Sequence, residues 1–206
     1  MDASFPMLFA AVIGFTHAFE ADHLVAVSNI VTKRNKLLLA AKDGLFWGLG
    51  HTSTIVLIGL LLIVGKATFL NGYFRFFEAG VGLMLITLGI YRLSQFFRHR
   101  HSVEELMDER KNHHLAYGVG LVHGLAGSGA MVLLVMTEIQ DSVSSLLYLL
   151  IFGFGSVLGM LLAAGALGLP FSRKIMTHEG LQIALILLSS ALCIGYGAFV
   201  LYENLA

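Results

Sequence analysis

Four side chains able to hold a cation fall within the seven residues HAFEADH: His17, Glu20, Asp22 and His23. Two more histidines, His51 and His123, stand inside otherwise apolar stretches. Neutral imidazole nitrogens suit nickel, zinc, copper and iron, whereas magnesium and calcium sites are dominated by oxygen. The six residues His17, Glu20, Asp22, His23, His51 and His123 are therefore candidate ligands for a divalent transition metal. The competing reading is that these histidines are packed, hydrogen-bonded contacts between helices, and it fits His123 better than the dense first group. On a helix turning about 100° per residue, His17, Glu20 and His23 share one slowly spiralling face while Asp22 points away. Either Asp22 orients an imidazole from behind, or the helix is broken at this point, as in discontinuous transporter helices.

The elements that must carry these residues are apolar throughout. Hydrophobic residues make up 57% of the 206 and charged residues 13%, with mean hydropathy +0.81, whereas an average soluble chain is about 25% charged. A membrane-spanning helix needs about 20 apolar residues. Six such runs are present, near 5–31, 40–65, 73–97, 115–137, 143–170 and 179–203. They are continuous rather than alternating, and an open sheet would leave edge groups unpaired in lipid. The expected fold is all-α, a polytopic membrane protein of six transmembrane helices. The N-terminus lacks the basic region of a signal peptide, so the first run is expected to stay as helix 1. With Cys193 as the sole cysteine, no intrachain disulfide or dithiol centre can form.

A polar stretch at 98–114 divides the chain. Gly14 and His17 of GFTH return as Gly120 and His123 of GLVH, and Gly48 and Gly50 of WGLGH return as Gly153 and Gly155 of FGFGS. The first pair is offset by 106 positions and the second by 105. These near-constant offsets point to an internal repeat, 5–97 and 115–203, joined by a loop at 98–114 within one transmembrane domain. Because each repeat has three helices, the second enters the membrane from the opposite side, the inverted plan that places a transporter's site near the midplane. Ser156 takes the place in the second repeat that His51 holds in the first. Ionisable groups at the bilayer centre cost about 2.5–3.5 kcal/mol each, so the histidines are expected to face the interior.

Eleven of the thirteen basic residues lie in or beside the connections after the first, third and fifth runs, among them Arg34, Arg92, His-flanking Arg98 and Arg100, and Arg173; the opposite side keeps Lys66 and Arg75. By the positive-inside rule those connections are cytoplasmic and both termini external, in a multi-pass cell-membrane protein. The pairs Gly44/Gly48, Gly120/Gly124 and Gly155/Gly159 have the small-xxx-small spacing of close helix contacts. His99, His101, His113 and His114, amid acidic residues, read as a solvated loop, with metal collection as the other reading of such a tract.

HAFEADH at 17–23 resembles the H-x4-D-H signature of nickel/cobalt transporters, and GHTSTIV at 50–56 is similar to their second-span signature. GLVHGLAGSGA at 120–130 and the six-span length resemble the short UreH-type urease-accessory membrane proteins of the same broad group. The resemblance implies that His17, Asp22, His23 and His51 take part in metal passage. Thr16 and Ser28 depart from the larger transporters, which usually carry Arg and Asp there.

The expected function is transport of nickel or cobalt through a midplane His/carboxylate site, with no catalysis and no resident cofactor, the metal being the cargo. The expected partners are the ion and the lipid bilayer, with metallochaperones as candidate receivers and no nucleic acid. Two rivals are an accessory protein that delivers metal for urease or hydrogenase maturation without transporting it, and an intramembrane metalloenzyme. The latter lacks H-E-x-x-H.

Overall fold

In a computed structural model of the chain the described residues are 4–63, 73–98, 113–138, 141–172 and 179–206, with side chains described outside 4–6, 127–138 and 179. Among them the chain is all-helical, without a strand: α1 (Ser4–His17), α2 (Ala21–Val31), α3 (Leu37–Ile63), α4 (Phe74–Arg98), α5 (His114–Glu138), α6 (Ser142–Gly168) and α7 (Glu179–Leu205). A short 3₁₀ turn at Leu169–Phe171 carries Pro170 where no helical N–H is required. Large apolar side chains point outward along the helices, including Leu8, Leu57, Leu83, Phe154, Leu188 and Phe199. Such a surface suits lipid. Helices α3, α4, α6 and α7 are each long and apolar enough to cross a bilayer, and the bent pair α1 with α2, taken as one span, gives a fifth candidate. The sixth expected span corresponds to α5, whose later side chains lie outside the described residues.

The first run is not one helix. α1 stops at His17, α2 starts at Ala21, and their axes differ by 55°. The Phe19 and Glu20 amides turn back to the carbonyls of Thr16 and His17, and Glu20 has extended backbone (ψ 155°) before Leu24 restarts the ladder on its carbonyl. Non-helical backbone at membrane depth survives only inside protein or against a cavity. Here Ala18 is fully buried, beneath Gly159 of α6.

Glycines set the helix pairs. A Cβ on Gly14 would overlap the Phe152 carbonyl, and one on Gly155 the Ala11 carbonyl, so α1 and α6 lie backbone to backbone and parallel. Gly50 meets the carbonyl of Tyr117, and Gly120 that of Trp47, which sets α3 against α5 in the same way. α3 runs antiparallel to α6, with Gly44 on Met160, Gly48 on Val157 and Gly153 on Thr52. α4 and α7 are also antiparallel, Gly82 and Gly197 each facing the other's carbonyl. The small-xxx-small pairs are therefore contact surfaces.

At the C-terminal end of α2 a set of charged groups is buried and paired. Arg34 in the α2–α3 turn donates to Asp43 of α3 through Nε (2.6 Å) and Nη2 (3.0 Å), and His113 Nδ1 meets the same carboxylate at 2.6 Å. Arg92 of α4 donates to the Thr32 hydroxyl (3.0 Å) and carbonyl (2.7 Å), placing a cation on the helix terminus that carries partial negative charge. Arg34 and Arg92, counted among the basic residues in or beside the connections, are thus buried and paired. One expectation is corrected: His113 is not part of a solvated loop but a buried residue stacked on Phe46. The rest of the acidic, histidine-rich tract, 99–112, lies outside the described residues.

Candidate metal centre

The break between α1 and α2 brings the histidines together. His17 ends α1, His23 lies in the first turn of α2, His51 comes from α3 and His123 from α5. His23 is central: its ring centroid is 4.5 Å from that of His17, 5.2 Å from His51 and 4.2 Å from His123. His23, His51 and His123 are essentially fully buried, in a bundle whose outer surface is apolar. Trp47 and Phe152 close the cluster on two sides, Trp47 5.3 Å from His23 and Phe152 5.5 Å from His17.

Carboxylates set the tautomers. An ionised carboxylate only accepts hydrogen bonds, so a ring nitrogen facing it must carry the proton. Asp22 Oδ1 lies 2.9 Å from His23 Nδ1 and Oδ2 lies 2.9 Å from His123 Nε2, while Glu20 Oε1 lies 2.9 Å from His17 Nδ1. In the neutral rings the opposite nitrogens are then bare lone pairs. These atoms, His17 Nε2, His23 Nε2 and His123 Nδ1, are buried without a hydrogen-bond partner, as are both nitrogens of His51. Buried polar atoms are normally paired. Several unpaired nitrogens at one place form a ready ligand set, oriented from behind as metal-binding histidines are.

All six expected residues thus lie at this centre, in different roles. His17, His23 and His51 put ligand atoms within 4.8 Å of one another, and Asp22, His23 and His123 form a second such group. Glu20 is exposed and belongs to neither, touching the site through His17. The two open alternatives for Asp22 both hold, because the helix is broken and the carboxylate braces two imidazoles. Ser156 is not in the cluster; its hydroxyl donates to the Gly14 carbonyl at 3.0 Å and joins α6 to α1. Trp47 was not anticipated. Its indole Nε1 is buried without a partner beside His23 and His123, and the signal was its place one helical turn before His51.

Comparison with known proteins agrees with the motifs. The chain is 38% identical over 181 residues to urease accessory protein UreH of Bacillus sp. (strain TB-90), covering 82% of this chain and 79% of that one. The chain belongs to the UreH family. This UreH-family chain is also 32% identical over 93 residues, 42% of its length, to the high-affinity nickel transport protein of Cupriavidus necator, where the match spans 26% of the relative. Chloroplast protein FOR GROWTH AND FERTILITY 2 of Arabidopsis thaliana is 24% identical over 150 residues, covering 68% of the chain and 40% of the relative. No family model and no solved structure matches. Family and apolar helices together make this a multi-pass membrane protein.

Proposed function

We propose that this UreH-family protein carries a divalent transition-metal ion, nickel or cobalt, across the cell membrane. One observation carries the reading: unpaired nitrogens of His17, His23 and His51 converge at a helix break inside an apolar bundle. The ion sheds part of its water to these imidazoles, Glu20 and Asp22 hold the rings from behind, and the carboxylates offset part of its charge. No nucleotide-binding motif accompanies the site, and none is needed for inward movement. A membrane potential supplies about 2.3 kcal/mol per charge per 100 mV, hence about 4.6 kcal/mol for a divalent ion. In this reading the metal is cargo and there is no catalytic step.

The carrier has six spans arranged as two inverted three-helix repeats. The glycine contacts support this, since Gly14 on Phe152 corresponds to Gly120 on Trp47, and Gly155 on Ala11 to Gly50 on Tyr117, at the offsets of the repeat. The antiparallel course of α3 against α6 and of α4 against α7 is what inversion requires. Setting aside the buried Arg34 and Arg92, nine basic residues against two still favour cytoplasmic connections after the odd-numbered spans and external termini. Thiol labelling of a cysteine at position 204 from outside the cell, in a Cys193→Ser background, tests that orientation.

An accessory role in delivering metal without transport is the second reading, favoured by the name of the UreH relative. Proteoliposomes separate the two. Purified protein should admit Ni²⁺, and His17→Ala, His23→Ala or His51→Ala should stop the flux in protein that remains folded. Tight Ni²⁺ binding with no flux would replace the carrier by the accessory reading.

A further inference from the structure

His23 belongs to both groups of ligand atoms, His17/His23/His51 and Asp22/His23/His123, while no such group among the described residues joins His17 to His123. That division has a geometric meaning. Two nitrogens on opposite sides of one ion, each bonded at about 2.1 Å, are at most about 4.2 Å apart. Ligands of one ion would all lie within that distance of one another, yet among the described residues no set of ligand atoms within even 4.8 Å adds His123 to His17, His23 and His51. An ion seated among the bare nitrogens of His17, His23 and His51 is therefore not also seated on His123. Resting on the carrier reading above, we infer that the ion occupies two successive positions, first His17/His23/His51 and then Asp22/His23/His123, with His23 as the shared ligand.

The two positions differ in charge and in readiness. The first consists of neutral imidazoles with free lone pairs, so an arriving ion displaces no hydrogen bond but finds no anion among its ligands. The second contains the Asp22 carboxylate, at present engaged by His23 and His123. Transfer breaks those hydrogen bonds without moving their protons: His23 Nδ1 and His123 Nε2 keep theirs while both rings turn to present the bare His23 Nε2 and His123 Nδ1 to the ion beside the carboxylate, whose attraction gives the displacement its direction. His123 can serve because its Nδ1 is bare and unpartnered. Two divalent ions a few ångströms apart in an apolar interior repel strongly. The positions are therefore filled one at a time, with one ion per chain.

Calorimetric titration of the purified full-length protein with Ni²⁺ tests this, with melting in detergent confirming that each variant is folded. Wild type should bind one ion. His51→Ala disables only the first position and should still bind one ion, about 100-fold more weakly. Adding His123→Ala or Asp22→Asn to that variant should abolish the remaining binding. Should His51→Ala not fold, His17→Ala takes its place, since His17 also belongs to the first position alone. Residual binding that is indifferent to His123 and Asp22 would overturn the inference, as would complete loss of binding in His51→Ala. Both results leave the carrier reading standing. If wild type bound no Ni²⁺, it would be the carrier reading that failed.

Discussion

Two buried polar clusters lie along α2, built from similar side chains, and they differ in what remains unpaired. At the C-terminal end, no buried nitrogen or oxygen of Arg34, Asp43, Arg92 or His113 lacks a partner. At the N-terminal end, five imidazole nitrogens are buried with none. In an apolar interior an unpaired polar atom is costly, and the proposed ion would complete the several kept at this one spot. The saturated cluster is a strut. It ties the end of α2 to α3, α4 and α5, so that α2 is held where its first turn presents Asp22 and His23.

The comparison is most sharply tested at Asp43. Asp43→Ala withdraws the carboxylate from buried Arg34 and His113, and breaking a buried ion pair costs about 3–5 kcal/mol. A large fall in detergent melting temperature is expected, with Ni²⁺ affinity of the folded fraction little changed. Loss of affinity at unchanged stability would make the strut part of the site.

Gly14 comes next. Gly14→Ala drives a methyl group into the Phe152 carbonyl, and overpacking of this kind costs about 1–3 kcal/mol. Because α1 must move away from α6, His17 moves with it, so stability and metal affinity should fall together. Gly80 is a matched control with open space around it, where Ala should leave both intact. Equal behaviour of the two variants in melting and calorimetry would discount the glycine contacts.

The smallest effect is expected at Glu20, whose carboxylate is exposed and reaches the site only through His17 Nδ1. Glu20→Ala should weaken Ni²⁺ binding by about tenfold, the lower range for a group supporting a metal-bound histidine, without altering the melting temperature. A loss as large as that of His51→Ala would make Glu20 a ligand in its own right.

Much of the candidate site was legible because ionisable residues are rare in apolar runs, and the few that occur must face inward. The H-x4-D-H spacing identified the first group, and the repeat drew attention to His123. Three things were not legible. Arg34 and Arg92 read only as basic residues in or beside the connections, because a sequence does not reveal that Asp43 and the Thr32 carbonyl wait to pair with them. Ser156 read only as the counterpart of His51, because the repeat carries position but not chemistry, and its hydroxyl is used between helices. Trp47 passed as an ordinary apolar residue, since nothing local shows its N–H to be left without a partner.

By itself the sequence determined the all-helical class, the long apolar elements, the kinds of ligand and the glycines that allow backbones to meet. These follow from composition and short-range spacing, to which hydrophobic burial and steric size respond directly. Only the tertiary structure decided the break at residues 18–20. No proline or glycine lies between Phe15 and Ser28 to encode it; it is held by α6 packed beneath Ala18 and by Asp22 reaching His123, 101 positions away. The same long-range contact decided which nitrogens carry protons and which are left bare, because a tautomer is set by the partner that the fold supplies.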